Sequence, residues 1–276
     1  MNHYNLSNVI SLFMSIKLPK TNMLFRQNLL VNGDFNVWQR GTNFSFTGDE
    51  AFHYHADMWC VYASSGQKIT INKVKEGIQF SGATSIIQRI VEPLTSSKKY
   101  LIVAMIDNDV KTLQIVGGNY TENSYFKYNK SGSCEQIQIK SNGITTVKYC
   151  DLFEGSIVYK HQKEDDLLAL LRSQRYLFVY NGQMNSQVTY YSAECSDLIV
   201  NIFLPQQMYR NPTININSCR ATCQTTTSNY DMYLYSHFLE NNSLRLVCGR
   251  TDKLKFDTNY DYALLISGLI ASCEPL

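Results

Sequence analysis

Charge is scarce in this sequence. Only 17% of its 276 residues are Asp, Glu, Lys or Arg, and the net charge is +2. So low a charge density argues against long, salt-laced helices. A balance so near zero excludes nucleic-acid binding driven by electrostatics. Long apolar runs are also missing. None reaches the roughly 18 residues that a membrane span needs, so no membrane insertion is expected. The apolar run Val9–Ile16 has no basic region before it and no small-residue cleavage site after it. It does not read as a secretory signal.

Histidine is rare: His3, His53, His55, His161 and His237. There is no G-x-S-x-G elbow, no phosphate loop and no H-E-x-x-H. The acidic pairs Asp49-Glu50 and Asp165-Asp166 are adjacent in sequence, whereas a glycosidase opposes its two acids across a cleft. The chain is therefore expected not to be an enzyme. Two metal arrangements are conceivable, His53 and His55 with Asp57, or Asp34 with Asp57 around calcium. Loop histidines and structural carboxylates explain the same residues, and neither metal nor cofactor is expected. Eight cysteines at irregular spacing read as small buried side chains in a reducing cytosol rather than as a disulfide framework. Cys219 and Cys223 lack a neighbouring Cys/His pair to complete a zinc site.

What is present is β-forming. Apolar residues make up 44% of the chain, with 19 Tyr and 13 Phe. The fold class is expected to be mainly β, with two jelly-roll-like β-sandwiches joined by one short α-helix and preceded by a short anchor segment. Residues 1–27 form the leader. Leu6, Val9, Ile10, Phe13 and Met14 fall at roughly helical spacing there, and the segment either docks on a partner or is loosely ordered. Residues 28–160 read as strands: 68–74, 77–80, 85–91, 100–106 and 136–140 alternate polar and apolar side chains between Gly, Asn and Ser clusters. Residues 161–178 read as the connecting helix, with acidic residues at its start and Arg172 and Arg175 at its end. Residues 179–276 return to strands at 187–191, 197–203, 213–217, 230–235, 244–248 and 262–270, and form the second sandwich.

One stretch is more specific than periodicity. Asn28-Leu29-Leu30-Val31-Asn32-Gly33-Asp34-Phe35-Asn36-Val37-Trp38-Gln39-Arg40-Gly41-Thr42 is followed by Ala56-Asp57-Met58-Trp59. It resembles the N-L-L-x-N-G-x-F-x-x-W-Q-R-G-T…A-D-R-W opening of a family of phage tail-fibre and virion appendage proteins, with Met58 in place of the usual Arg. Ile87-Gln88-Arg89-Ile90, the segments 150–156 and 167–176, and Phe203–Thr213 match further family motifs in the expected order, with Arg172-Ser173 where Leu-Cys is typical. The resemblance spans about 28–276.

It implies a galactose-binding-type jelly roll whose core holds Phe35, Trp38, Trp59, Arg40 and Asp57; either Trp is alternatively a sugar platform. Phe35 and Val37 alternate with Asn36 as on a half-buried strand, and Asn32-Gly33-Asp34 reads as a turn in which Gly accepts positive φ. The resemblance also implies a homotrimeric head or tail fibre of a virion, assembled in the bacterial cytoplasm, that attaches to a host-surface glycan or protein. Residues 1–27 would hold it to other virion proteins. The second domain is expected to face outward, with Tyr190, Tyr191, Tyr230, Tyr233 and Tyr235 as the ligand-contact candidates, because Tyr offers apolar area and a polar tip at low entropy cost. The rival functions are a purely structural decoration or connector and a glycan depolymerase.

Overall fold

The computed structural model describes residues 28–276 apart from 133, 142, 188, 191–196, 209–211, 224–227, 241–242, 253–261 and 273–276, with the backbone alone at some strand positions near these gaps. The leader, residues 1–27, lies outside the described residues.

Twelve strands make the first sandwich. They are β1 (Asn43–Thr47), β2 (Ala51–Tyr54), β3 (Trp59–Ala63), β4 (Lys68–Lys73), β5 (Ile78–Ser81), β6 (Ser85–Ile90), β7 (Lys99–Ile106), β8 (Asp109–Val116), β9 (Thr121–Glu122), β10 (Phe126–Ser131), β11 (Cys134–Lys140) and β12 (Thr145–Glu154). They form two six-stranded antiparallel sheets, β1-β4-β5-β12-β7-β8 and β2-β3-β6-β11-β10-β9. Period-two alternation gives each sheet one apolar face. Ile69, Ile71, Phe80, Ile102, Ile115 and Leu152 from one meet Trp59, Ile86, Phe126, Tyr128, Ile137 and Ile139 from the other in a single core.

A helix, α1 (Asp166–Gln174), follows. It is shorter than the expected 161–178. The Asp165 carboxylate caps it by accepting from the Leu167 and Leu168 amides, so Glu164 precedes the helix. Residues 177 onward are already strand.

The second unit comprises β13 (Leu177–Gln187), β14 (Thr189–Tyr190), β15 (Asp197–Phe203), β16 (Thr213–Asn215), β17 (Ser218–Cys223), β18 (Asn229–Glu240), β19 (Ser243–Arg250) and β20 (Tyr262–Ser272). These are one hydrogen-bonded sheet, β13-β20-β17-β18-β19-β15-β14, with β16 beside β20. The long β18 turns the corner. Its residues 229–231 pair with β17 and its residues 232–240 pair with β19. The two halves fold over a core of Leu198, Val200, Ile202, Cys219, Ala221, Leu244, Leu246, Cys248, Ile266 and Leu269. The sandwich is thus made by one bent sheet.

Phe35–Val37 do not form the expected strand, and Asn28–Thr42 is an irregular segment with a turn at 33–34. Asn32 and Phe35 have positive φ (54° and 52°), and the segment forms no ladder. Burial alternates only from Gly33 to Trp38, and side chains hold much of the backbone. Asn28 donates to the Cys150 carbonyl (3.0 Å) and the Asp151 carboxylate (2.9 Å) and accepts from the Leu30 and Leu152 amides. Asn32 donates to the Val37 and Asp57 carbonyls and accepts from the Val37 amide, each at 3.0 Å. Gln88 takes both backbone groups of Val31. Gly33 is needed for space rather than for φ. A Cβ there would lie 2.4 Å from the Cys150 carbonyl oxygen.

This segment joins the two cores. Leu30 is buried in the first core and its neighbour Val31 in the second. Trp59 fills the first while Met58 enters the second. Ile90 is in the first, and Val91 packs on the second. Consecutive side chains leaving opposite sides of a chain make such a splice. Met58, at φ 71°, supplies an apolar plug where the resembled family carries a charge. Gln39 adds a polar tie, accepting from the Val179 amide and donating to the Leu177 carbonyl and the Asp57 carboxylate.

Asn32→Ala is expected to lower the unfolding free energy by about 2–4 kcal/mol, because it orphans buried backbone groups at the splice. Urea denaturation measures this. Ser173, fully buried on α1, leaves its hydroxyl without a partner. Ser173→Ala should raise stability by about 1 kcal/mol in the same assay.

Candidate functional site

Of the residues expected in the first core, Phe35, Trp59 and Asp57 are buried, Trp38 packs at its rim, and Arg40 is only part-buried, so it does not belong to the core. Phe35, Trp59 and Asp57 have no exposed surface. Phe35 and Trp59 pack with ring centroids 4.8 Å apart, and the Trp59 indole donates to the Asn32 carbonyl. A ring with no exposed surface offers a sugar no platform. Trp38 is half-buried at the rim of the core, stacked on Phe44 and donating to the Phe35 carbonyl. Arg40 lies over the Tyr54 ring at 5.3 Å and reaches Ser272 of β20.

The two metal arrangements are not assembled. His53 bonds Asp49 at the surface, while His55 is buried and accepts from the Ala56 amide. Burial pushes the His55 imidazole down to about 3, so it stays neutral. Asp57 is held by Gln39, and Asp34 by His161 and the Glu164 amide. Among the described residues no group of three His, Cys, Asp or Glu is placed to hold a metal.

A charge cluster unforeseen in the sequence sits beside α1. His161 bridges Asp34 and Asp151, 2.8 Å from each, and stacks on Tyr149 at 3.7 Å with the rings 4° from parallel. Burial alone would lower its pKa. Its hydrogen bonds to Asp151 and Asp34 outweigh that and raise it to about 9. Burial pushes the Asp151 carboxyl up, with the imidazolium opposing that shift. Arg172 completes the tie, pairing with Glu164 at 2.6 Å and donating to the Asn28 and Leu30 carbonyls. The cluster fastens residues 161–172 to the splice.

The expected tyrosines of the second unit separate. Tyr191 lies outside the described residues, and Tyr190 is described by its backbone alone. Tyr230 is half-buried beneath the Arg250 guanidinium, 4.1 Å from the ring centroid. Tyr233 and Tyr235 are 42% and 66% exposed. The register puts Tyr233 on the outer face of the β18-β19-β15 half, where the cross-strand rows are Tyr233–Gly249–Asp197, Ser236–Val247–Ile199 and Phe238–Arg245–Asn201. Tyr235 sits at a bulge between Leu234 and Ser236, which re-aims its side chain.

Two residues that sequence reasoning missed join this face. Phe238 is 52% exposed, and Phe203, beyond Asn201 on β15, is 83% exposed. The signal for Phe203 was present, since Leu198, Val200 and Ile202 occupy the opposite parity of the same strand. Phe238 and Phe203 flank the Arg245–Asn201 pair, while the row between them and Tyr233 holds Val247 and Ile199, which are buried. Ring faces attract C–H groups, and the polar side chains between them suit hydroxyls.

No family model matches the chain, and no curated protein matches it.

For a group whose folded pKa is raised, the stabilisation is full below the unfolded value, 6.5 for His161, and is lost as pH rises through about 9. Unfolding free energy should therefore fall by about 1–3 kcal/mol between pH 6.5 and 9.5, and His161→Gln should remove most of that slope. NMR titration of the imidazole provides the direct check.

Proposed function

We propose that this chain is an appendage protein of a bacteriophage particle that holds the outer face of its second sandwich against the host surface, where a glycan is the ligand. The observation that carries the reading is the set of exposed rings Phe203 on β15 and Tyr233, Tyr235 and Phe238 on β18. A soluble sheet ordinarily turns polar residues outward, so large apolar rings there favour a contact surface. The apolar faces of pyranose rings match exposed aromatic faces, and Asn201 and Arg245 supply hydrogen-bonding groups between them. The ordered resemblance from Asn28 to Thr213 supports the phage setting. Its opening residues, Asn28–Arg40 and Ala56–Trp59, build the splice, as expected of a scaffold shared by appendages whose outward faces differ. Trimerisation would present three such faces, and avidity would turn weak contacts into firm attachment.

A connector role is the second reading. It is favoured by Leu167 and Leu168 of α1, 62% and 51% exposed, and by Ile157 and Val158 just before it. These apolar side chains lie beside the joint, remote in sequence from the aromatic face, and suit contact with another virion protein.

Binding of the purified full chain to host cells decides between the two. Saturable binding that soluble host polysaccharide competes away is expected. The double substitution Phe203→Ala, Tyr235→Ala should weaken it about tenfold or more with the melting temperature little changed. Absence of binding to cells of the true host would leave the connector reading.

A further inference from the structure

The first sandwich has a cleft that the proposed attachment face does not use. β1 and β2 are end strands of its two sheets. Alternation turns Phe44 and Phe46 of β1 toward the core, because their cross-strand partners Ile71 and Ile69 are core residues. His53 of β2 stands opposite buried Val61 and faces the same way, stacking on Phe46 with ring centroids 4.5 Å apart. Phe52 and Tyr54 leave the other side of β2. Phe52 meets Tyr62 at 5.3 Å, and Tyr54 lies beneath the Arg40 guanidinium. Between the two strand edges these side chains, with Asn43 and Ser45, line an open cavity of about 570 Å³. That volume suits a small ligand. The rings are not spent on closing the core, since Phe44 and Phe46 are half-buried and Phe52 is 41% exposed. His53 carries the Asp49 carboxylate, bonded at 2.6 Å, at the rim.

We propose that this cleft is a saccharide site that takes one neutral pyranose ring. The C–H faces of the sugar lie against the aromatic wall, whose π faces attract them. Its hydroxyls bond to Asn43, Ser45 and Arg40, which supply an amide, a hydroxyl and a fork of N–H donors. Among the described lining residues Arg40 is the one full charge, and the Asp49 carboxylate on His53 offsets it, so a ligand without net charge is favoured. The rings stand on paired strands and need little ordering when the sugar enters. The site is separate from the exposed rings of β15 and β18 and belongs to the other sandwich. Occupancy has a built-in reporter. Trp38 stacks on Phe44 at 6.3 Å, whereas Trp59, the other tryptophan, has no exposed surface.

The methyl glycosides of galactose, glucose, mannose and N-acetylglucosamine are titrated into the purified full chain, with tryptophan emission and saturation-transfer NMR as readouts. At least one should change the emission saturably and receive saturation at its ring protons. Trp38→Phe should abolish the emission change and keep the NMR signal. Phe52→Ala should weaken binding about tenfold with the melting temperature little changed. Should that variant not fold, Asn43→Ala, at the exposed start of β1, tests the same wall and should weaken binding about threefold. The double substitution Phe203→Ala, Tyr235→Ala should leave glycoside binding at its wild-type strength, so failure of the cleft and failure of the attachment face are read separately. No saturable response to any of the glycosides overturns the proposal, as does a response that Phe52→Ala and Asn43→Ala both leave unchanged.

Discussion

The structure depends on a splice between two hydrophobic cores. At Leu30/Val31, Met58/Trp59 and Ile90/Val91, neighbouring residues enter different sandwiches. Each fully buried aliphatic side chain contributes about 1.5–3 kcal/mol. Neither core is therefore complete without the segment that belongs to the other. The polar groups of that segment are matched in turn by Asn28, Asn32, Gln39 and Gln88. With the splice in place, α1 and the His161 cluster have a fixed surface to bind, and the second sheet has a defined base. Without it, the two sandwiches would be joined only by a linker and one short helix.

This constraint separates scaffold from surface. Leu30 to Gly33, Phe35, Val37, residues 56–59 and Gln88 are buried, where no ligand reaches them. The exposed rings on β15 and β18 stand on the other unit, held by a sheet bent over its own core. Under the proposed reading, the splice sets the direction in which the outer face points, while residues 203, 233, 235 and 238 set what it touches. An aromatic surface anchored on paired strands needs little ordering when a ligand arrives, which favours weak, repeated glycan contacts.

Much of the fold was legible in the sequence because alternation is a local signal. The strand at 197–203 was read with its observed bounds, and 68–74, 85–91 and 100–106 to within a residue at either end. Edge strands such as β1 and β2 were not read, since they are short and half-buried and their pattern is diluted. The segment Asn28–Thr42 misled for a different reason. From Gly33 to Trp38 its burial alternates like that of a strand, but its backbone bonds go to scattered groups, among them the side chains of Asn28, Asn32, Asp57 and Gln88, rather than to a neighbouring strand. The bend of the second sheet along β18 also depends on long-range pairing, so a single bent sheet and two separate sheets give the same local pattern. Among the candidate contact residues, Tyr235 was legible only as a tyrosine, because its outward aim comes from a bulge. Tyr230 looked equivalent and lies under Arg250.

The most direct test of the splice is differential scanning calorimetry of the full chain under reducing conditions. If the two cores share Val31, Met58 and Val91, the sandwiches unfold together. A single transition is then expected, with calorimetric and van't Hoff enthalpies equal, and Asn32→Ala lowers it as one peak. Two separable transitions, with Asn32→Ala shifting only one of them, would contradict the account.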